Sequence, residues 1–280
     1  MKLNVMNVVY YSPTRTSQKV ARAIAEGLGI ARRQETDLTT DFRTDPIMVK
    51  DSICIVAAPV YGGLVAPAAL ERISRLRGEN SVAIPVVVYG NRDYEDALVQ
   101  LRDRLQELGF TPLCGAAFIG EHSYSRPEMP VAAGRPDQED LEKARTFGRQ
   151  AFNKLCNMIC PGQHPDVLSK DFSLEYSQPL AELIQTPAMK GHVPYKEPKA
   201  SAPMAPEVND LCYGCGDCVS FCPTGAIEIK DGISTTDANR CSKCCACVKF
   251  CPVGARTFDT PFTAYLYQNF SARREPECFI

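Results

Sequence analysis

The sequence of 280 residues contains no long apolar run and has almost no net charge. No stretch of about 18 residues is continuously apolar, and we therefore expect no membrane-spanning helix. The formal net charge of −2 predicts neither a nucleic-acid surface nor a basic patch that would bind a membrane. The first residues also lack the small-residue cleavage pattern of an export signal, so we expect the protein to be cytoplasmic.

Motifs that would indicate two kinds of enzyme chemistry are missing as well. No G-x-G-x-x-G segment follows a predicted strand, and "GLGIAR" at residues 27–32 lies at the end of a predicted helix. We therefore expect no built-in NAD(P)H site of the dinucleotide-binding type. The serines and the 3 histidines form no recognisable motif for nucleophilic catalysis.

Strand-like and helical patterns alternate over residues 1–158, the first predicted domain. The strand-like segments are short and mostly apolar, as buried parallel strands are. They cover residues 3–11, 52–61, 81–90 and 114–120, with a weaker, more polar one at 33–38. The helical patterns cover residues 17–28, 67–76, 94–108 and 137–155. This alternation predicts an α/β fold, a doubly wound parallel sheet with helices on both faces. Five strands fit a flavodoxin-like sheet with the strand order 2-1-3-4-5.

The rest of the chain divides into three predicted parts. Repeated proline in residues 159–208 stops helices and central strands and predicts a semi-extended linker. Residues 209–258 contain two cysteine-rich runs, and we expect them to form a small α+β domain. Residues 259–280 form a tail with five aromatic side chains, which leads us to expect that the tail docks on one of the domains.

The two cysteine-rich runs share one spacing. "CYGCGDCVSFCP" at residues 212–223 and "CSKCCACVKFCP" at residues 241–252 both follow C-x2-C-x2-C-x3-C-P. In such a run three thiolates hold three corners of one iron–sulfur cube, while the fourth cysteine, before the proline, serves the other cube. The sequence therefore predicts two [4Fe–4S] clusters. The predicted ligands are Cys212, Cys215, Cys218 and Cys251 for the first cluster and Cys241, Cys244, Cys247 and Cys222 for the second.

A pair of zinc sites is the alternative, because four thiolates also suit zinc. Zinc modules need neither the C-P ending nor the duplicated three-plus-one pattern, so the runs favour iron–sulfur clusters. We expect the six other cysteines to be free thiols in a reducing compartment. Cys245 is one of these six, although it adjoins a predicted ligand.

Three loops follow predicted strands at the carboxyl edge of the sheet, where doubly wound sheets bind ligands. The first loop enters a helix, and its hydroxyls and the helix N–H groups suit a phosphate, although serine and threonine also cap helices. Its candidate residues are Ser12, Thr14, Arg15, Thr16 and Ser17. The candidates in the other two loops are Pro59, Val60, Tyr61, Gly62 and Gly63, and then Tyr89, Gly90, Asn91, Arg92, Asp93 and Tyr94.

Tyr61 and Tyr94 place one aromatic ring on each of the last two loops. Two rings on neighbouring loops can sandwich a planar group, although each ring alone is also typical of packing in a turn. A phosphate site beside two such rings predicts FMN as the ligand. If Asp93 and Glu95 lie beside the ring, their charge would lower the flavin potential. His122, in the loop after the last strand, would matter for proton uptake by the flavin.

The chain resembles flavodoxins from residue 3 to 155 and bacterial two-cluster ferredoxins over the two cysteine-rich runs. As a whole it resembles the fused flavodoxin–ferredoxin proteins of anaerobic bacteria and archaea, whose loops are similar to "PVYGG", "YGNRDYEDAL" and "GEHSYS". The resemblance implies FMN and two [4Fe–4S] clusters. Pro13 and Arg15 stand where the family commonly has glycine, and Arg15 would be strained if its φ were positive.

The predicted groups favour an electron-transfer protein that passes electrons between two clusters and FMN and so couples one-electron to two-electron steps. The alternative is an enzyme, an FMN-dependent reductase of a small organic acceptor that is fed through its own clusters. We expect a redox partner protein, such as a ferredoxin or an oxidoreductase, and neither nucleic acid nor a membrane as a partner. The sequence also allows the protein to form a homodimer.

Overall fold

The computed structural model describes residues 1–161, 172–198 and 202–280. Its largest unit is a sheet covered by helices, made by the first part of the chain. The strands of this part are β1 (Lys2–Leu3), β2 (Val5–Tyr10), β3 (Arg33–Asp37), β4 (Ile47–Lys50), β5 (Ser52–Tyr61), β6 (Leu64–Val65), β7 (Leu76–Glu79), β8 (Ser81–Tyr89), β9 (Phe110–Pro112) and β10 (Gly115–Ile119). The helices are α1 (Thr16–Leu28), α2 (Pro67–Ile73), α3 (Ala97–Glu107) and α4 (Gln138–Ile159).

Five of these strands form the parallel core of the sheet, in the order β3-β2-β5-β8-β10. Numbered along the chain this is the order 2-1-3-4-5, so the predicted flavodoxin-like, doubly wound sheet is confirmed. The register brings the carboxyl ends of the strands to one edge, with Tyr10 opposite Ala57 and Tyr89 opposite Ile119. The loops that follow these strands therefore share that edge.

The sheet is buried on both faces, because successive residues of each strand point to opposite sides. In β2, Val8 belongs to the apolar cluster under α1 and α4, and Val9 to the cluster under α2 and α3. Helices α1 and α4 approach each other closely at Gly27. A Cβ at that position would lie 2.0 Å from the carbonyl oxygen of Arg145, so a larger residue would push the two helices apart.

Two helices are shorter than predicted. Helix α2 ends at Ile73 because the residues from Leu76 onward leave it to form β7, which pairs in parallel with β4. Helix α3 begins at Ala97 rather than at Tyr94, since the residues before it form a turn in which Glu95 has a φ of 42°. Strands β4 and β7 were not predicted, because both are short and carry several exposed residues.

Residues 172–196 of the predicted linker contact the first domain, whereas its last residues, Glu207 and Val208, belong to the cysteine-rich part. The linker contains β11 (Leu174–Glu175), which pairs antiparallel with β1, and α5 (Leu180–Leu183). Tyr195 donates a hydrogen bond of 2.6 Å to Asp103 of α3. The linker prediction for residues 162–171 and 199–201 falls outside the described residues.

The cysteine-rich part is a small α+β unit built from two similar halves. Each cysteine run leads into a short helix, α6 (Asp217–Phe221) or α7 (Ala246–Lys249). The strands are β12 (Glu207–Val208), β13 (Ile227–Lys230), β14 (Ile233–Thr236) and β15 (Arg256–Thr257). Both pairs, β12 with β15 and β13 with β14, are antiparallel.

The tail contains α8 (Pro261–Phe270) and β16 (Glu277–Phe279). Strand β16 adds an antiparallel strand to the edge of the large sheet, with Cys278 opposite Ala116 of β10. Arg273 pairs with Asp137 at the start of α4, so β16 and this ion pair both fix the tail to the first domain. None of the helices in the described ranges combines the length and the apolar character needed to cross a membrane.

Candidate functional site

Four cysteines line one pocket in the cysteine-rich part. They are Cys212, Cys215, Cys218 and Cys251, called the first cysteine set below. The backbone N–H of Ser234 lies 3.5 Å from Sγ of Cys212, and that of Ala255 lies 3.2 Å from Sγ of Cys251. Hydrogen bonds from the N–H groups of Ser234 and Gly214 lower the pKa of Cys212. They therefore favour the thiolate form, which binds metal.

A second pocket is lined by the other four predicted ligands. They are Cys222, Cys241, Cys244 and Cys247, called the second cysteine set below. The N–H of Ala226 donates to Sγ of Cys222 over 3.2 Å. Burial raises the pKa of Cys244 to about 11 and that of Cys247 to about 12. Such thiols ionise at neutral pH only when positive charge, such as that of iron, lies beside them.

Each set joins three cysteines of one run to the fourth cysteine of the other run. Within the described ranges, no three cysteine, histidine, aspartate or glutamate side chains are placed to hold a single metal ion, and each cysteine set instead surrounds a pocket. Four thiols around a pocket, with N–H groups directed at sulfur, suit an iron–sulfur cube. Cys245 also lines the second pocket and is 2% exposed. The role of the eight cysteines as ligands stays a prediction.

The loop after β2 contains the predicted strain. Arg15 is the N-cap residue of α1 and has a φ of 64°, a left-handed conformation that residues other than glycine rarely adopt. Its side chain makes no capping hydrogen bond. The guanidinium instead lies 4.7 Å from the ring centroid of Phe250, in the second cysteine run. Arg15 therefore contacts the cysteine-rich part.

The hydroxyls of this loop differ in what they bind. Ser12 accepts a hydrogen bond from the N–H of Gln18 over 3.1 Å, and its own N–H donates to Oγ1 of Thr39 over 2.8 Å. Ser17 is fully buried, and its Oγ has no hydrogen-bond partner among the described residues. Thr14 and Thr16 are partly exposed. A buried hydroxyl without a partner, beside the first N–H groups of a helix, suits a bound phosphate.

The second loop forms a tight turn between β5 and β6. Pro59 and Val60 are the last residues of β5 before Tyr61. Gly62 and Gly63 follow with φ values of 63° and 86°, which favour glycine. Burial, and next to it the nearby Cys244, raise the pKa of Tyr61. The Tyr61 ring is partly exposed, so it lies near the second cysteine set with ring surface free for contact.

Tyr94, the other predicted ring, is fully buried in the same apolar cluster that Tyr61 packs against. Its hydroxyl donates to the carboxylate of Glu277 in the tail over 2.7 Å. The amino group of Lys190 lies 4.5 Å from the centroid of the Tyr94 ring, and the ring of Tyr89 lies 5.3 Å away. Of the two predicted rings, only Tyr61 has exposed surface, and the sandwich of a flavin between both rings stays a prediction.

The third loop is held by the tail. The side-chain amide of Asn91 donates to the carbonyl oxygens of Phe270 and Ala272 over 2.6 and 2.8 Å. Gly90 is tightly packed, because a Cβ there would lie 2.4 Å from the ring of His122. The tail and the loop after β10 therefore fix the conformation of residues 89–94.

Both carboxylates of this loop are paired with cations. Burial opposes ionisation of Asp93, but hydrogen bonds from the N–H of Glu95 and from Lys190 outweigh it and lower the pKa of Asp93. Glu95 pairs with Arg92 and Lys196. Both acids are therefore ion-paired, and their effect on a flavin potential stays a prediction.

His122 is a neutral imidazole at neutral pH. Burial, and then the cations Lys249 and Arg92, lower the pKa of His122 from 6.5 to about 4. Its Nδ1 accepts a hydrogen bond of 3.0 Å from the N–H of Tyr124, which leaves the ring proton on Nε2.

Comparisons with known proteins agree with the two-part organisation. Residues 211–255 match the family model described as a 4Fe-4S dicluster domain. The chain joins a flavodoxin-like domain to a 4Fe–4S ferredoxin domain. The flavodoxin-like domain is shown by the order of the strands in its sheet. The ferredoxin domain is shown by the family match, and the predicted flavodoxin–ferredoxin fusion is confirmed.

Relatives cover only parts of the chain. A probable ferredoxin of Methanosarcina thermophila is 56% identical over 36 residues, which are 12% of this chain and 62% of the ferredoxin. A flavodoxin from the domain Archaea covers 54% of this chain and 97% of its own, with 14% identity and a TM-score of 0.38. The oxidised flavodoxin 1 of Bacillus cereus covers 53% of this chain and 97% of its own, with 15% identity and a TM-score of 0.35.

The ferredoxin domain contacts the carboxyl edge of the sheet within the same chain. Arg72 donates to the carbonyl oxygen of Pro223 over 2.6 Å, and Lys249 pairs with Glu121. Arg126 adds an ion pair of 3.0 Å with Asp259, at the start of the tail. The sequence did not predict these contacts, because the partners lie far apart in the chain and no motif specifies how the two domains meet.

Proposed function

We propose that the chain is an electron-transfer protein that holds FMN in its flavodoxin-like domain and one [4Fe–4S] cluster in each cysteine set. Bound together, these groups would couple one-electron steps at the clusters with one- or two-electron steps at the flavin. The observation that carries the proposal is the position of the second cysteine set. Pro223, directly after Cys222 of this set, accepts a hydrogen bond of 2.6 Å from Arg72 of the flavodoxin-like domain.

The two cysteine sets differ in their access to solvent, which supports an order of transfer. Cys215 of the first set is exposed, and its neighbours Leu211 and Tyr213 are 59% and 64% exposed. Cys244 and Cys247 of the second set are buried. A redox partner protein, a ferredoxin or an oxidoreductase, would therefore reach the first set, and the second set would stand between the partner and the flavin.

The residues that would hold FMN lie on the loops after β2 and β5. Ser12, Ser17 and the first N–H groups of α1 suit the phosphate, and Arg15 lies in the same loop. Tyr61 offers the exposed part of its ring to the planar group. The tail holds the residues of the third loop in place. These residues would therefore form the floor of the FMN site.

A reductase of a small organic acceptor would need an open face above the flavin. In the structure parts of the ferredoxin domain and of the tail lie against this edge. Phe250 lies over Arg15, and Asn91 is buried beneath the end of α8. This covering favours electron transfer to a protein over reduction of a small acceptor.

Anaerobic reconstitution followed by metal and flavin analysis tests the proposal. We expect about eight iron atoms, about eight sulfides and about one FMN per chain. We also expect a reduced external ferredoxin to reduce the bound flavin without sustained turnover of small quinones or disulfides. A chain that binds iron and sulfide but no FMN would contradict the proposal, and steady turnover of a small acceptor would support the reductase instead.

A further inference from the structure

Arg72, in the last turn of α2, is a buried cation without an acidic partner. Its side chain lies against two aromatic rings, 5.5 Å from the ring centroid of Tyr11 and 4.6 Å from that of Phe42. The residue is 8% exposed. Among the described residues no carboxylate pairs with it, whereas Arg75, three residues further on, pairs with Asp41 over 3.2 Å.

Carbonyl oxygens accept the hydrogen bonds of the Arg72 guanidinium. One terminal nitrogen donates to the carbonyl oxygens of Leu38, over 2.9 Å, and of Thr39. The other donates to the carbonyl oxygen of Pro223 over 2.6 Å. These contacts satisfy N–H groups, but they supply no full negative charge, and an uncompensated buried cation is costly. The surroundings of Arg72 therefore suit an anionic group.

The second cysteine set lies at the right place to supply that negative charge. Pro223, which accepts from Arg72, directly follows Cys222 in the chain. The Arg72 guanidinium lies 5.5 Å from the ring centroid of Tyr11, and its hydrogen bond to Pro223 places it beside the loop that contains Cys222. Four thiolates around an iron–sulfur cube leave a net negative charge, which grows when the cube is reduced.

Arg72 is linked through Thr39 to the loop of residues 12–17, called the phosphate loop below. Thr39, whose carbonyl oxygen accepts from Arg72, uses its side-chain oxygen to accept the N–H of Ser12 over 2.8 Å. One guanidinium therefore connects the loop after Cys222 with the loop that begins at Ser12. The planar guanidinium of arginine has N–H donors on two sides and can make both contacts at once, whereas the single ammonium group of lysine cannot.

A second buried arginine, Arg256, lies close to both cysteine sets. It is 2% exposed, and its guanidinium lies 3.9 Å from Sγ of Cys218 and 2.7 Å from Oγ of Ser234. Arg72 contacts the loop that follows Cys222 of the second set, so its removal should affect the second cluster more than the first.

We propose that Arg72 is a positioning residue that supplies the counter-charge of the second cluster and ties that cluster's loop to the phosphate loop. The proposal rests on the proposed function, since it needs a cluster in the second set. A cation beside the cluster stabilises the reduced, more negative form and raises its reduction potential. The hydrogen bonds of Arg72 to Leu38, Thr39 and Pro223, called the fork below, fix the position of the ferredoxin domain relative to the loop that begins at Ser12.

Redox titration of the reconstituted holoprotein, followed by electron paramagnetic resonance, tests the charge. Arg72→Gln removes the charge and keeps an N–H donor, Arg72→Lys keeps the charge, and Arg75→Gln is the control. We expect Arg72→Gln to make reduction of one cluster at least tenfold less favourable, a fall of about 59 mV for a one-electron couple. The other cluster, and both clusters in Arg72→Lys and Arg75→Gln, should stay close to the wild-type values.

A flavin titration of the same variants tests the connection to the phosphate loop. Both Arg72→Gln and Arg72→Lys lose the fork, and we expect each to weaken FMN binding at least fivefold, while Arg75→Gln binds as the wild type does. If Arg72→Gln does not fold, Arg72→Met, which buries no polar group, replaces it in both titrations.

The outcomes separate this proposal from the proposed function. Folded Arg72→Gln with full iron and FMN content and two unshifted cluster potentials would overturn the role of Arg72 and leave the proposed function intact. Unchanged FMN affinity in both Arg72 variants would overturn the connection to the phosphate loop. A wild-type chain that takes up no second cluster would instead contradict the proposed function itself.

Discussion

At the scale of the residue, hydrogen-bond partners distinguish side chains that hold the fold from side chains available to a ligand. The hydroxyl of Tyr94 donates its hydrogen bond to Glu277, so this hydroxyl helps to hold the tail and is not available to a ligand. The hydroxyl of Ser17 is equally buried but has no partner in the described part of the chain. Buried polar atoms without partners are rare in folded proteins, which makes Ser17 a better candidate for a ligand contact than its sequence position alone indicates.

Ser17→Ala should therefore weaken FMN binding while leaving the fold intact. A hydrogen bond to a charged group contributes about 1.5–3 kcal/mol, so we expect the dissociation constant of FMN to rise about tenfold or more. Fluorescence titration of the flavin-free protein measures it. Ser74→Ala is the control, because Ser74 bonds to the Leu70 carbonyl inside α2. Equal affinity in the two variants would contradict a phosphate contact at Ser17.

His122 gives a prediction about pH. Its pKa is lowered from 6.5 to about 4 in the folded chain, first by burial. The unfolded chain therefore binds a proton at a higher pH than the folded chain does, and stability is lost as pH falls from 6.5 towards 4. The loss in unfolding free energy between pH 7 and pH 5, measured with urea, should be smaller in His122→Gln than in the wild type. An equal loss in both proteins would show that His122 titrates normally.

The cysteine sets and the contacts of Arg72 show what residue spacing can predict. The eight candidate ligands were grouped correctly in space, because the C-P run fixes which three thiols share a loop and which one is directed elsewhere. Arg72 and Pro223 are 151 residues apart. Pro223 is the proline that ends the first cysteine run, but that motif does not indicate a contact with Arg72. Their contact depends on how two folded units meet, which no local pattern encodes.

At the scale of the element, the parallel strands were predictable and the edge strand was not. Strands β2, β5 and β8 are long apolar runs that must be buried on both faces. Strand β16 has three residues and lies near the end of a polar tail. It pairs because β10 offers an open edge, a feature of the assembled sheet and not of the tail sequence.

The tail should come loose when its contact with the third loop is removed. Asn91→Ala loses both hydrogen bonds to the carbonyl oxygens of Phe270 and Ala272. We expect a loss of about 1–3 kcal/mol in unfolding free energy and faster hydrogen exchange across β16.

Asn269→Ala is the matched control for this experiment. Its amide bonds only to the Tyr265 carbonyl within α8, so β16 should exchange as in the wild type. Equal exchange of β16 in the wild type, Asn91→Ala and Asn269→Ala would contradict the role of the tail in holding the third loop.

At the scale of the whole molecule, the ferredoxin domain covers the edge of the sheet where a flavodoxin-like domain binds its ligand. Exposed ion pairs add little to such a contact, and the pairs Lys249–Glu121 and Arg126–Asp259 are partly exposed. The buried fork of Arg72 and the contact of Arg15 with Phe250 are better protected from solvent. The sequence predicted both domains, but their relative placement depends on these few contacts.

Flash reduction of the anaerobic holoprotein tests the central claim most directly, that the second cluster and the flavin exchange electrons inside one chain. A light-generated reductant first reduces the exposed cluster, and the absorbance of the flavin is then followed at several protein concentrations. The account predicts flavin reduction at a rate that does not depend on protein concentration. A rate that rises in proportion to protein concentration, or reduced clusters beside a flavin that stays oxidised, would contradict it.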